Sequence, residues 1–327
     1  MNGEEKGEGG RDRSAHIAEL LPEIPLPTTR QLRVMQAAIS IHEERPSSIV
    51  YQHTVLCQTC LPYRDPGDTV RAWVRENGKI SLLIRAGEAY HPEQGWIQVG
   101  LPYGPKPRLI LGYLNTQALL RQSPVIEVEE SLTAFAKRLG LDPNGRSLRT
   151  IKDQLARLAA ADLHFGVPTS DTTTTKTFKG QIVSEFDLWF GRDERQRVLW
   201  PSSVHLDPTY FESLVAHAVP LDERALGALS HSAMALDLYA WLAQRLHRIH
   251  PRENAFIAWG ALQQQFGFGY ANMRKFKQVF RTTLAQVLAV YPEARVSLDG
   301  RGLTGRNSKP PIARRLAKAG NPPIAQG

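Results

Sequence analysis

The stretch LGLDPNGRSLRTIKDQLARL, Leu139–Leu158, opens as a turn and continues as a helix. Asp142-Pro143-Asn144-Gly145 is turn chemistry, and from about Arg146 the pattern becomes helical. Leu148, Ile151, Leu155 and Leu158 recur at three- and four-residue spacing and form one apolar stripe. The opposite face carries Arg146, Arg149, Thr150, Asp153 and Arg157, with Ser147 beside them and Lys152 on a flank. That is the layout of a recognition helix. One face packs on supporting helices while the other offers Arg and Lys to phosphates or guanine edges in a major groove.

The neighbouring elements support this reading. RLILGYLNTQALLRQ reads as a helix, VIEV as a short strand, and SLTAFAKRLGL as a helix with Ser131 as N-cap. After the central helix, DLHFGVP and QIVSEFDLWF read as strands around the polar loop TSDTTTTKTFKG. Helix, strand, helix, turn, helix, hairpin is the order of a winged helix-turn-helix, with Lys176 and Lys179 on its wing.

The same order recurs downstream. SAMALDLYAWLAQRLHRI, NAFIAW, GALQQQFG, a turn at FGYAN, the helix MRKFKQVFRTTLAQVLAVY and the strand ARVSLDG follow in turn. Residue identity is low, so this is a repeat of architecture. In its long helix Phe276, Val279, Phe280, Leu284 and Val287 face in; Arg274, Lys277, Gln278 and Arg281 face out, with Lys275 beside them. From Ala255 onward the acids are Glu293 and Asp299, against Arg274, Lys275, Lys277, Arg281, Arg295, Arg301, Arg306, Lys309, Arg314, Arg315 and Lys318. An ordinary solvated face mixes signs, so this one points to an anionic partner. Arg146, Arg149, Thr150, Arg274, Lys277 and Arg281 are the candidate base readers. Lys152, Lys176, Lys179, Lys275 and a basic arm that includes Arg301 and Arg306 are the candidate phosphate contacts.

Upstream, TTRQLRVMQAAISIHEE reads as a helix capped by Thr28 or Thr29. SSIVYQHTVLCQTCL, TVRAWVREN, ISLLIRAG and GWIQVGLP read as strands, with Asn77-Gly78 as a two-residue hairpin turn. The expected fold is therefore α+β: a disordered leader over 1–27, a helix and small antiparallel sheet over 28–102, winged-helix domains over 103–207 and 208–303, and a disordered basic tail over 304–327. Dimerisation or partner docking is the guess for the sheet.

The net charge of +8 agrees with a polyanionic partner, and hydrophobic and charged contents of 42% and 22% are those of a folded soluble protein. No apolar run approaches the length of a bilayer span and no secretory leader is evident, so a cytoplasmic protein without a membrane partner is expected. Cys57 and Cys60, the only cysteines, read as two plain thiols in a strand. His247 and His250 share a helix face with no third ligand, so no metal and no cofactor is expected. No phosphate loop, no dinucleotide fingerprint and no paired histidines on a strand are present, which argues against an enzyme.

Several long segments resemble one family, the plasmid-encoded RepA-type replication initiators: VGLPYGPKPRLILGYLNTQAL, SLTAFAKRLGLDPNGRSLRTIKDQLARLAAA, ERQRVLWPSSVHLDPTYFESL, VPLDERALGAL and MALDLYAWLAQRLHRI. The resemblance implies a bacterial protein that binds double-stranded origin DNA of its own plasmid, commonly at direct repeats (iterons). It also implies opening of the duplex and recruitment of the host initiator and replicative helicase. Related initiators are tandem winged helices, often homodimers when repressing their own gene. A transcriptional regulator acting on one promoter is the alternative within the binding class; a nicking or nucleotide-hydrolysing replication enzyme is the alternative outside it.

Overall fold

A computed structural model describes residues 27–91, 93–128, 131–168, 175–185 and 203–313. Helix α1 (Thr29–Glu43) begins at Thr28, whose hydroxyl accepts from the Gln31 N–H while the Gln31 side chain accepts from the Thr28 N–H. That reciprocal capping box satisfies donors a helix start otherwise leaves unpaired. Strand β1 (Ile49–His53) then runs directly into helix α2 (Thr54–Gln58), where a continuing strand is expected from the sequence. His53 makes the difference by capping: its Nδ1 accepts from the Val55 N–H. Val55, Leu56 and Cys57 are all buried, and a short, wholly buried apolar run fits a helix turn as well as a strand.

Strands β2 (Ala72–Asn77) and β3 (Ile80–Arg85) form the hairpin predicted at Asn77-Gly78, with Gly78 at φ 61° as the tight turn requires. A smaller hairpin joins β4 (Glu88–His91) to β5 (Gly95–Gln98). The upstream sheet does not stand apart as a unit. Strand β7 (Asp162–Pro168) pairs with β3, and β8 (Thr175–Gln181) pairs with β7, giving the order β2-β3-β7-β8. β8 begins within the stretch expected to be loop; residues 169–174, the tip of that expected wing, lie outside the described residues.

Between these strands stand helix α3 (Pro105–Arg121), strand β6 (Val125–Glu127), helix α4 (Leu132–Arg138) and helix α5 (Gly145–Ala160). Ser131 caps α4, accepting from the Ala134 N–H, and Asn144 caps α5, accepting from the Ser147 N–H at 2.8 Å. β6 does not join the hairpin that follows α5. It pairs with β10 (Ser203–Leu206), which also pairs with β9 (Val183–Glu185). Helix α6 (Pro208–His217) packs on α3 and β8, and β11 (Ala218–Asp222) pairs with β1. The stretch from 208 to 222 therefore packs with the first half of the chain, ahead of the downstream repeat.

That repeat comprises α7 (Glu223–Leu229), α8 (Ala233–Arg245), a 3-10 turn (Leu246–Arg248), β12 (Asn254–Ala258), α9 (Trp259–Phe266), α10 (Met273–Ala289), β13 (Val296–Leu298) and β14 (Gly302–Arg306). Its strands form one sheet in the order β12-β14-β13. β14 crosses the expected boundary at 303, and Ser308 and Ile312 are buried, so the chain to 313 belongs to the folded part. The rest of the expected tail, like the leader before residue 27, lies outside the described residues.

The two halves meet through α3 and α8, which are buried nearly all round. Arg108 on α3 donates Nε to Asp237 Oδ1 on α8 at 2.6 Å and Nη2 to Oδ2 at 2.7 Å. The same guanidinium donates to the carbonyls of Gly104 at 2.6 Å and Leu61 at 2.8 Å. One continuous apolar core runs from Val34 to Leu303.

Candidate nucleic-acid interface

Helix α10 starts at Asn272, whose side chain accepts from the Arg274 and Lys275 N–H groups. That cap fixes which residues point inward. Phe276, Phe280, Thr283, Leu284 and Val287 are buried, whereas Arg274, Lys275, Gln278 and Arg281 are exposed and Lys277 is half-buried. The predicted basic face is thus formed. Lys275 donates to Gln278 Oε1 at 3.3 Å. The Lys277 ammonium lies 5.1 Å and the Arg281 guanidinium 5.5 Å from the centroid of the Trp259 ring, within cation–π reach.

The turn between β13 and β14 lies against the same tryptophan. Asp299 accepts from the Arg301 N–H at 2.7 Å and the Gly302 N–H at 3.0 Å, which holds its carboxyl below the usual carboxylate range. Arg301, at the turn, stands over the exposed Phe256 ring at 5.9 Å. The sequence places Arg301 in an arm; in the fold it is a hairpin tip beside α10. Arg306 is exposed at the far end of β14, opposite Asn254.

Helix α5 presents fewer cations. Arg146 and Arg149 are exposed, Lys152 and Ser147 half-buried. The Thr150 hydroxyl donates to the Arg146 carbonyl at 2.8 Å. Burial, aided by the charge of Arg146, lowers the Lys106 ammonium from its ordinary value. Lys106, in the first turn of α3, is therefore a cation near this end of α5 that helical periodicity alone does not single out. Lys179 is exposed on β8 opposite His164, and Lys176 lies opposite Val167.

Arg157 corrects the sequence reading. Its Nε donates to Asp153 Oδ1 at 2.9 Å and its Nη1 to the Leu101 carbonyl at 3.2 Å. Asp65 lies 3.8 Å away and the Tyr103 ring centroid 5.1 Å away, leaving the side chain 14% exposed. A Cβ at Gly100 would run into its Nη1, so glycine there makes room for the guanidinium. Arg157 braces α5 against the 99–103 segment; it does not belong to an outward basic face. Asp153, on the same polar face in the sequence, is its partner.

The remaining candidates are spent internally. Cys57 and Cys60 are buried on and beside α2, burial pushes both thiols up, and Cys60 accepts from the Tyr63 hydroxyl at 3.4 Å. His247 Nδ1 lies 3.0 Å from the Ala243 carbonyl, and His250 Nδ1 accepts from the Arg252 N–H. Among the described residues, no group of three or more potential metal ligands comes together and no helix is long and apolar enough to cross a membrane.

Two crystal structures of RctB domains 2 and 3 are similar at 13% identity. The first, of selenomethionine derivatives, gives a TM-score of 0.48 and covers 79% of this chain and 98% of that one. The second gives 0.44, over 77% and 94%. A search of curated proteins finds no match. Residues 101–261, from just ahead of α3 into α9, match the family described as plasmid encoded RepA protein. That segment, which holds α5 and the Arg108–Asp237 pair, is the part of the chain that matches the family of plasmid-encoded RepA proteins.

Proposed function

We propose that the chain is a plasmid replication initiator that binds double-stranded origin DNA at repeated sites, through α10 with the β13–β14 turn and through α5. The observation that carries this reading is the surface built by Arg274, Lys275, Lys277, Arg281 and Arg301 on two adjoining elements. The order α8, β12, α9, α10, β13, β14 with the sheet order β12-β14-β13 supports a winged helix, in which α10 enters the major groove and the turn is the wing. The order α3, β6, α4, α5, β7, β8 supports a second one, although there β6 pairs outside the hairpin. The match of residues 101–261 to that family supports the plasmid origin as the target, with opening of the duplex, recruitment of the host initiator and helicase, and repression of its own gene following from it.

A plasmid carrying the origin, transformed with and without this gene, tests the role. Maintenance only with the gene is expected; maintenance without it refutes an initiator. Arg274→Ala is expected to weaken origin binding by roughly 1–3 kcal/mol with the melting temperature unchanged, measured by fluorescence anisotropy. Unaltered affinity would remove α10 from the interface.

A further inference from the structure

Trp259 opens α9 and touches both elements of the basic surface from beneath. Its backbone N–H donates to the Arg301 carbonyl at 3.1 Å, and its indole Nε1–H donates to the Asp299 carbonyl at 3.0 Å. The two carbonyls flank Gly300, so one residue grips the β13–β14 turn on both sides of its tip. The indole meanwhile packs edge-on against Phe276 and Phe280, the buried side of α10, at interplanar angles of 88° and 81°. Its ring carries the cations of Lys277 and Arg281, one helical turn apart. At 4% exposure it does not itself reach a ligand.

Two elements far apart in sequence are thereby tied to one rigid side chain. A cation already resting over an indole has fewer rotamers to lose when it meets a phosphate. A turn held by two hydrogen bonds on a buried residue likewise delivers Arg301 to one place. We propose that Trp259 is the positioning residue of the DNA interface: it sets the β13–β14 turn against α10 so that Arg301 meets the DNA backbone in fixed register with Lys277 and Arg281. The proposal rests on the reading of α10 as a DNA-facing helix.

Trp259→Phe keeps an aromatic edge on Phe276 and Phe280 and removes the Nε1–H donor. In the whole 327-residue chain on origin DNA, Trp259→Phe and Arg301→Ala are each expected to weaken binding roughly 5-fold, the worth of about one lost contact. Combined, they should weaken it less than about 2-fold beyond Trp259→Phe alone, because the contact made by Arg301 is already gone. The slope of log affinity against log salt should fall by about 1 in Trp259→Phe, as in Arg301→Ala. That slope does not depend on the folded fraction, so a merely structural role for the indole leaves it unmoved. Additive losses, or an unchanged salt slope in Trp259→Phe, overturn the proposal. Arg274→Ala separates the two levels. If it leaves affinity intact, the DNA-facing reading fails; if it weakens binding while Trp259→Phe and Arg301→Ala are additive, the positioning role alone fails.

Discussion

His53 sits at the joint between β1 and α2, and its whole surroundings oppose a charge on it. The ring stacks on Phe165 at 5.0 Å and Tyr210 at 5.6 Å, with Nδ1 accepting from the Val55 N–H and Nε2 at 3.0 Å from the Ser213 hydroxyl. Because Nδ1 accepts, the neutral ring keeps its proton on Nε2 and donates to Ser213. Burial, with the nearby His217 adding to it, lowers its pKa to about 3. In the unfolded chain the same imidazole titrates near 6.5. Between these values the unfolded chain holds a proton that the folded chain does not, so stability is full above about pH 6.5 and falls as the pH drops towards 3. Urea midpoints measured at pH 7.5 and pH 5 should therefore decline for the native chain. His53→Asn retains an oxygen that can cap α2 and has no titrating ring, so it should decline less. An equal decline in both would show that His53 is not the group responsible.

At the scale of elements, α5 and α10 repeat one amphipathic pattern and differ in how much of it is free to meet a ligand. Both helices are legible because a 3.6-residue apolar period and a Gly- and Asn-bearing turn just ahead of it are local signals. Arg157 was misplaced by the same logic, since periodicity alone puts it on the polar face. The signal that could have caught it is Asp153 four residues earlier, an ion pair along the helix. Its other contacts, the Leu101 carbonyl and the Tyr103 ring, come from a segment whose position no local pattern reveals. Arg157→Ala should cost about 1–3 kcal/mol in urea unfolding through the loss of charged hydrogen bonds. The salt slope of DNA binding should stay unchanged, the reverse of the outcome expected at Arg301; a reduced slope would return Arg157 to the interface. Strand partnerships were illegible for a related reason. β6 meets β10 and β2–β3 meets β7–β8 across long stretches of chain, and alternation specifies a face, not a partner. Trp259 carries no local signal of its second role, because a tryptophan at a helix start reads as core, which it also is.

Across the whole molecule the two halves are joined where α3 and α8 cross, and a buried ion pair marks the crossing. The Arg108 and Asp237 side chains are 6% and 9% exposed. Burial pushes the Asp237 carboxyl up against the pull of Arg108, and the guanidinium also satisfies the carbonyls of Leu61 and Gly104. Such a pair adds little net stability compared with well-packed apolar groups, but removing one partner strands the other charge in the core. Arg108→Met and Asp237→Leu should each cost about 3–5 kcal/mol. The double variant should lose clearly less than the sum of the two, because no charge is left unpaired in it. Both charges sit on segments that carry the family resemblance, GPKPR and MALDLYAW, and the continuous core predicts that the two halves unfold in one cooperative transition. Unfolding followed by circular dichroism and by tryptophan fluorescence tests both points. Coincident curves with a strongly non-additive cycle are expected. An additive cycle would mean the pair is not a coupled unit, and two separated transitions would mean that each half folds on its own around α3 or α8.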